Sequence, residues 1–566
     1  MKNMKVATIL YEVADLLEMK EERFKPRAYR KAAGTIESLS KPVEELSKEE
    51  LTKLPGIGKS IAEKIEEIIE TGSLKYYENL KNEFAIDFES LHFVEGLGPK
   101  KIKRFYDELG VVDLDDLEQA AKHHEIRRLE GMGEKTEQNI LENIEFARKK
   151  TGRKLLGYIL PIAEQLKEEL KNFKPVIKVE IAGSIRRRKE TIGDIDILVV
   201  TKENEKVMDF FTGLEHVDKV ILKGQSKSTV RLSENIESDL RVIKEESFGS
   251  ALMYFTGSKE TNIEIRKIAI KKGLKLNEYG LFKDNEQIAG KTEQEIFKKL
   301  GMNYIEPELR ENRGEIKAAI EGNLPELIDY NDIKGDLQMH TKWSDGSYTI
   351  HEMAERAREI GHEYIAITDH VGTLRIARGM DENKIRNQMK EIENINKEIN
   401  EITILKGAEV NILSDGKLDM SNGVLKDLDV VVASIHSGFR HTEEKITDRI
   451  ISAMHNDNVN IIAHPTGRKI HERKAYELDL NKIFETSKDT GTFLEINSYP
   501  NRLDLNDANV KRAVEYGCKL SIDTDSHSKA NLKHIELGIA TARRGWAKKD
   551  DVINTLPLKK LEKLLS

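Results

Sequence analysis

The chain has 566 residues, 34% of them charged and 38% hydrophobic, with a formal net charge of −8. That length excludes a single core and predicts about three to five domains, and the acidic balance excludes a wholesale basic coat, so any nucleic-acid contact must come from local clusters and backbone amides. A single cysteine, Cys518, excludes an internal disulfide, and no run approaches the roughly 18 apolar residues of a membrane span. A soluble, cytoplasmic protein with no membrane partner is expected, and its abundant Lys, Glu and Ile are common in heat-stable proteins.

The opening "MKNMKVATILYEVADLLEMK" has the periodicity of an amphipathic helix rather than of a signal peptide. Residues 1–150 read as helices separated by glycine turns, and one pattern recurs: "LPGIGKSIAEKI" from Leu54, "VEGLGPKKIKRF" from Val94 and "LEGMGEKTEQNI" from Leu129. In each copy a glycine pair (Gly56 and Gly58, Gly96 and Gly98, Gly131 and Gly133) permits positive φ and close approach of a ligand. The helix that follows offers unpaired amides to a phosphate. The copies resemble helix-hairpin-helix motifs, which hold a DNA backbone without reading its sequence.

From residue 176 strands such as "VIKVEIAG", "IDILVV" and "ESDLRVI" alternate with helices to about residue 320, and residues 322–335 read as a linker. Beyond it "YIAITDH", "DVVVASIHS", "VNIIAHP", "FLEINS" and "KLSIDTDSH" continue the β/α alternation, nearly all ending in histidine or a carboxylate. Such residues at strand ends predict a functional mouth on a barrel-like sheet.

In "GSIRRRKETIGDIDILVV" Asp194 and Asp196 head an apolar strand, and residues two apart in a strand share a face. Two divalent cations need a third carboxylate, and "IESDLRVI" offers Asp239. Gly183, Ser184, Arg187 and Gly193 provide a turn and a cation suited to a triphosphate. With "YFTGS" (Tyr254 to Ser258), "FKPRAYRKAAGTIESL" and "NEYGLF", these motifs resemble family X DNA polymerases over residues 1–320. The resemblance implies a lyase-like helical domain (1–90), a fingers-like domain with two helix-hairpin-helix motifs (91–150), a nucleotidyltransferase palm with a mixed sheet (151–250) and a thumb (251–321). It implies that Asp194, Asp196 and Asp239 bind Mg²⁺ or Mn²⁺ and carry synthesis. Tyr254, Phe255 and Gly257 would pack under the nucleotide sugar, and Asn262 and Arg266 would sense the nascent pair; alternatively the last two occupy a solvated helix face. Lys64 takes the place of the family's Schiff-base lysine, with Lys25 and Lys59 as phosphate contacts, although relatives often have a lysine where this chain has Ser60. The bland alternative is that Lys64 pairs with Glu67.

His340, Asp345, His370, Glu409, His436, His464, Asp525 and His527 form a mixed imidazole and carboxylate set that suits Zn²⁺, Mn²⁺ or Fe. Their order resembles the polymerase and histidinol phosphatase (PHP) domain, a distorted β/α barrel holding up to three metals, over residues 336–566. One departure stands out: the family's opening His-x-His reads Gln338-Met339-His340. The expected protein is a monomeric, multidomain α/β enzyme that binds gapped or primer-template DNA and deoxynucleoside triphosphates, fills short gaps, and carries a metal-dependent 3′ to 5′ exonuclease that also trims 3′ ends or cuts at abasic sites. A polymerase with a merely structural PHP domain and a non-catalytic DNA-end scaffold stay open as alternatives. A nucleotidyltransferase acting on small molecules would not need three hairpins.

Overall fold

The computed structural model describes residues 2–565 apart from 21, 23, 38–42, 55, 72–73, 85, 88–89, 92–93, 95–96, 152, 375–376, 471–472 and 474. The chain forms two compact units, Met1–Arg153 and Lys154–Ser566.

The first unit is helical throughout its described residues. Its opening helix, Lys2–Met19, buries Val6, Leu10, Val13 and Leu17, an i, i+3, i+4 stripe that meets the helix Lys25–Glu37. The helices Lys59–Thr71, Pro99–Leu109 and Glu134–Thr151 each start at a glycine pair of the repeated motif. Pro99 at the first turn and Gly110 at φ 69° delimit the second of them, the arrangement that favours proline at a helix start and glycine just past its end.

The second unit contains the sheets. A short antiparallel pair joins β1 (Lys154–Leu155) to β3 (Thr191–Ile192). A five-stranded mixed sheet has the order β2-β4-β7-β6-β5, formed by β2 (Val176–Ile181), β4 (Asp194–Thr201), β5 (Val217–Lys223), β6 (Lys227–Leu232) and β7 (Glu237–Val242). Only β4 and β7 run parallel in it, and Ile195, Ile197 and Val199 turn into a core with the helix Leu156–Asn172. A three-stranded antiparallel sheet follows, of β8 (Lys275–Asn277), β9 (Gly280–Lys283) and β10 (Glu286–Ala289).

The C-terminal sheet is parallel and has the order β11-β12-β14-β15-β16-β17-β18: Gly335–Asp336, Tyr364–Ile367, Thr403–Asn411, Val430–Ser434, Ile461–Ile462, Phe493–Asn497 and Leu520–Asp523, with β13 (His370–Val371) paired to β14. A parallel bridge from Met339 to Ser526 joins the first strand to the last, so the sheet nearly closes into a barrel. Its strands are buried on both faces, which is why they read as continuous runs such as "VVVAS". Residues 322–334 contain no helix or strand, yet they are packed: Ile328 joins the barrel core and its amide donates to Ala547 O at 3.1 Å.

The barrel is seated on the five-stranded sheet. Leu503 and Leu537 belong to that sheet's core, and Trp546 packs against the core beneath the three-stranded sheet. A buried ion-pair cluster ties together the segments that precede the barrel. Glu293 accepts from Arg186 at 2.9 and 2.7 Å, from Arg310 at 2.6 Å and from Tyr304 Oη at 3.1 Å. Burial pushes the Glu293 carboxyl up, but the charges of Arg310 and Arg186 outweigh it and hold the group down at about 2.

A carboxyl depressed in the folded state stabilises above its unfolded value and loses that contribution as pH falls through the folded one. Stability contributed by Glu293 is therefore expected to be complete near neutrality and to fade between about pH 4.5 and about 2. Replacement Glu293→Gln leaves two guanidinium groups without a counter-charge and should cost about 3–5 kcal/mol in denaturant melts at pH 7, a loss that shrinks as the melts are moved toward pH 2.

Candidate functional site

Two clusters of carboxylates carry the chemistry of the second unit. In the first, Asp196 lies opposite Asp239 and Asp194 opposite Glu237 across the parallel β4 and β7 pair. Strand alternation then puts Asp194, Asp196 and Asp239 on one face of adjacent strands. Burial first, and the charges of Asp194 and Asp239 second, push the Asp196 carboxyl up to about 7. Like-charged groups crowded in this way are what a divalent cation relieves. Asp239 accepts from Thr229 Oγ1 at 2.5 Å and pairs with Lys227 at 2.7 Å and Arg241 at 3.4 Å. Neither cation was anticipated from sequence: Lys227 is brought in by the β6–β7 hairpin register, and Arg241 reaches Asp239 from two residues on along the same strand.

Around these carboxylates Gly183 has a φ of 64°, and a Cβ there would collide with Asp196 Oδ2. Ser184 Oγ is buried without a hydrogen-bond partner among the described residues. Gly193 is exposed just before Asp194. Arg187 is paired through Nε with Glu311 at 3.0 Å, and its Nη1 donates to Thr256 O. Gly257, at φ 73°, brings its backbone against that guanidinium, since a Cβ would lie 3.0 Å from Arg187 Nη1. Tyr254 and Phe255 meet edge to face with ring centres 5.1 Å apart. Asn262 donates to Tyr254 O at 2.7 Å and Arg266 Nε to Asn262 O at 3.2 Å. Both residues are half-buried.

In the first unit Gly56 and Gly131 adopt φ of 85° and 73°. Gly58, Gly98 and Gly133 are exposed, have ordinary φ and have open space where a Cβ would sit. The first glycine of a described pair thus makes the turn and the second leaves room for a phosphate, rather than both supplying positive φ; Gly96 lies outside the described residues. Lys25 and Lys59 are exposed, Lys25 beside Glu22 at 2.8 Å. Lys64 donates to Ser60 Oγ at 3.0 Å and lies 5.1 Å from the Tyr76 ring centre. Its expected alternative partner, Glu67, instead accepts from Lys75 N at 2.7 Å, so the Lys64–Glu67 pairing is not formed.

The second cluster occupies the mouth of the barrel, at the carboxyl ends of its strands. Glu409 is its hub: one oxygen lies 3.4 Å from His340 Nε2 and 3.2 Å from His370 Nδ1, the other 3.3 Å from His436 Nε2 and 3.4 Å from His464 Nε2. Asp525 reaches His340 at 3.1 Å, and Asp345 lies 3.7 Å from His370 and 3.5 Å from His527. All eight ligands expected from sequence are brought together. Burial pushes the His370 and His464 imidazoles down to about 4, which keeps them in the neutral, ligating form at physiological pH. His527 Nδ1 bonds Asp525 O at 2.8 Å, fixing which nitrogen faces Asp345.

Backbone strain marks the same place, since His464 and Asp525 have φ of 30° and 51°. Buried Asp369 accepts from Thr341 N at 2.7 Å and from Gln388 Nε2 at 2.6 Å, anchoring the loop that follows His340. Asn497 Nδ2 donates to Asp525 Oδ2 at 3.1 Å, and Arg502 Nε lies 3.6 Å from the same carboxylate. These three were missed in sequence; Asp369 alone had a local signal, its place beside His370. Nitrogens of His340, His370 and His464 and Glu409 Oε1 are buried without hydrogen-bond partners among the described residues, and this donor set fits divalent metal ions. Both polar atoms of the Gln338 side chain are likewise buried and unpartnered among the described residues.

Residues 159–257 and 251–311 match the sequence families described as DNA polymerase beta palm and DNA polymerase beta thumb. Residues 1–74 match a helix-hairpin-helix domain, 88–145 a SAM-like helix-hairpin-helix tandem and 336–499 the PHP domain. The chain is 38% identical over 565 residues to the DNA polymerase/3'-5' exonuclease PolX of Bacillus subtilis (strain 168), covering 99% of this chain and 98% of that protein. A probable phosphatase of Thermoanaerobacter sp. (strain X514) is 32% identical over 231 residues, 39% of this chain and 89% of its own length. DNA polymerase lambda of Rattus norvegicus is 25% identical over 341 residues, 55% of this chain and 56% of its own length.

A site held in this way should gain stability from its ions. With Mn²⁺ at a hundredfold excess over the dissociation constant, the melting free energy should rise by about 2.7 kcal/mol for one ion. Glu409→Gln removes the charge shared by four imidazoles, and its melts should show a markedly smaller gain than those of the unaltered chain.

Proposed function

Because the chain belongs to the family X DNA polymerases that carry a C-terminal PHP domain, we propose that it is a DNA-directed DNA polymerase with a metal-dependent 3′ to 5′ exonuclease. The observation that carries the first activity is the in-register pairing of Asp196 with Asp239; for the second it is Glu409 shared by four imidazoles.

At the polymerase site Asp194, Asp196 and Asp239 hold Mg²⁺ or Mn²⁺. At the barrel mouth His340, Asp345, His370, Glu409, His436, His464, Asp525 and His527 hold up to three ions of Zn²⁺, Mn²⁺ or Fe. Divalent cations supply charge neutralisation of the reacting phosphoryl group at both sites. Gly183, Ser184, Arg187 and Gly193 bind the incoming triphosphate. Tyr254, Phe255 and Gly257 lie under its sugar and disfavour a 2′-hydroxyl, while Asn262 and Arg266 face the nascent pair. The backbone at the exposed Gly58, Gly98 and Gly133 receives DNA phosphates, with Lys59 next to Gly58 and Lys25 as a further phosphate contact.

The chain works as a cytoplasmic monomer on short gaps in DNA repair. Lys64, with its nitrogen beside Ser60 and Tyr76, serves an abasic-sugar lyase step in base excision. The domains fall at 1–90, 91–150, 151–250, 251–321 and 336–566, joined by 322–335. A second reading keeps the polymerase and makes the barrel a structural metal module; the amide of Gln338, buried without a partner among the described residues and standing at the first imidazole of the PHP His-x-His pattern, is the observation in its favour.

One gel separates these readings. A 5′-labelled primer annealed across a short gap, incubated with Mn²⁺, should lengthen when the four deoxynucleotides are present and shorten when they are absent. Asp194→Ala should abolish only the lengthening and His436→Ala only the shortening. Lengthening without shortening would favour the structural barrel, and an unchanged primer in both lanes would contradict the polymerase reading.

A further inference from the structure

Among the barrel side chains that reach the triphosphate loop, one arginine bonds to Arg187 itself. Arg544 ends the helix Ile535–Arg544 of the C-terminal domain, and its side chain is only 4% exposed. Its Nη1 donates to the backbone carbonyl of Arg187 at 2.6 Å and to Glu311 Oε1 at 3.2 Å. The same Glu311 oxygen accepts from Arg187 Nε at 3.0 Å. Arg544 Nη2 is held by Asp507 at 2.6 Å, so the guanidinium is anchored to its own domain while it bridges to the other.

Arg187 is thereby fixed twice, by its main chain and by its side chain. Glu311 occupies Nε and Thr256 O occupies Nη1, which leaves Nη2 without a partner among the described residues. A guanidinium held through two of its three nitrogens keeps its remaining donor aimed, and a pre-aimed donor loses less freedom when an anion binds. The Glu311 carboxyl is kept below its ordinary range: burial opposes this, but Arg544, Arg187 and Lys189 outweigh it, so the shared acceptor stays charged.

We infer that Arg544 is a positioning residue for nucleotide binding, through which the C-terminal barrel sets the affinity of the polymerase site for the triphosphate. The inference rests on the assignment of Arg187 to the triphosphate. It gives the barrel a part in synthesis that is separate from its own metal cluster, because none of Arg544, Glu311 and Asp507 belongs to that cluster.

The test is single-nucleotide insertion on a gapped primer-template with the full chain, comparing Arg544→Gln and Arg544→Lys. Arg544→Gln should raise KM for the deoxynucleotide by on the order of tenfold, the scale of one lost charge-assisted hydrogen bond, with a much smaller change in kcat. Arg544→Lys should recover part of that loss, since an ammonium restores the charge but not the forked geometry. Primer shortening without nucleotides should be unaltered in both. An unchanged KM in Arg544→Gln would overturn the inference, and so would a loss of synthesis and shortening together that Arg544→Lys fails to relieve. Glu311→Gln, which breaks the bridge from the thumb side, should also raise KM, and an unchanged KM there would count against it equally. Asp194→Ala in the same assay keeps the premises apart: if extension survives that change, the polymerase assignment fails rather than the role of Arg544.

Discussion

Buried carboxylates that face one another need opposite charge, and the second unit is arranged around that need. Asp194, Asp196 and Asp239 converge because two strands run parallel in one register, and burial together with the two neighbouring charges raises Asp196 toward neutrality. At the barrel mouth the same need takes another form. Glu409 is wholly buried, stays ionised despite its burial, and is ringed by imidazoles, two of which burial keeps neutral. Neutral imidazoles beside an ionised carboxylate make a ligand set suited to divalent cations.

The architecture that holds these clusters apart yet in one body relies on buried arginines. Arg186 and Arg310 share Glu293, Arg543 reaches Glu308 at 2.7 Å, and Arg468 reaches Glu190 at 2.7 Å. Each pair joins segments distant in sequence. Such pairs add little net stability over a well-packed apolar contact, but breaking one is costly, so they define which surfaces meet. Leu503 supplies the apolar counterpart: it sits in the core of the five-stranded sheet one residue after Arg502, which lies beside Asp525. The nucleotide site and the barrel mouth are therefore joined through a few side chains rather than through a linker.

Much of this was legible in the sequence because alternation in a strand is geometrically fixed. Asp194 and Asp196 share a face wherever their strand lies, and eight potential ligands placed near strand ends can converge only if the strands form one parallel sheet. The repeated glycine pairs announced three hairpins, although only coordinates separate the glycine that turns from the one that leaves space. What could not be read depends on long-range register. Lys227 meets Asp239 because of how one hairpin closes, Glu293 meets Arg186 across the fold, and Glu67 turns from Lys64 to the backbone of Lys75. Arg544 carries no local mark of its role, since its partners Glu311 and Asp507 come from separate segments.

The claim that two independent carboxylate clusters are built for cations is tested most directly by counting the Mn²⁺ ions the folded chain retains in equilibrium dialysis. Ions should be retained at both places, with Asp196→Asn lowering the count while the barrel complement stays, and Glu409→Gln lowering it by the barrel's share alone. A count unchanged by both substitutions, in variants that remain folded, would contradict it.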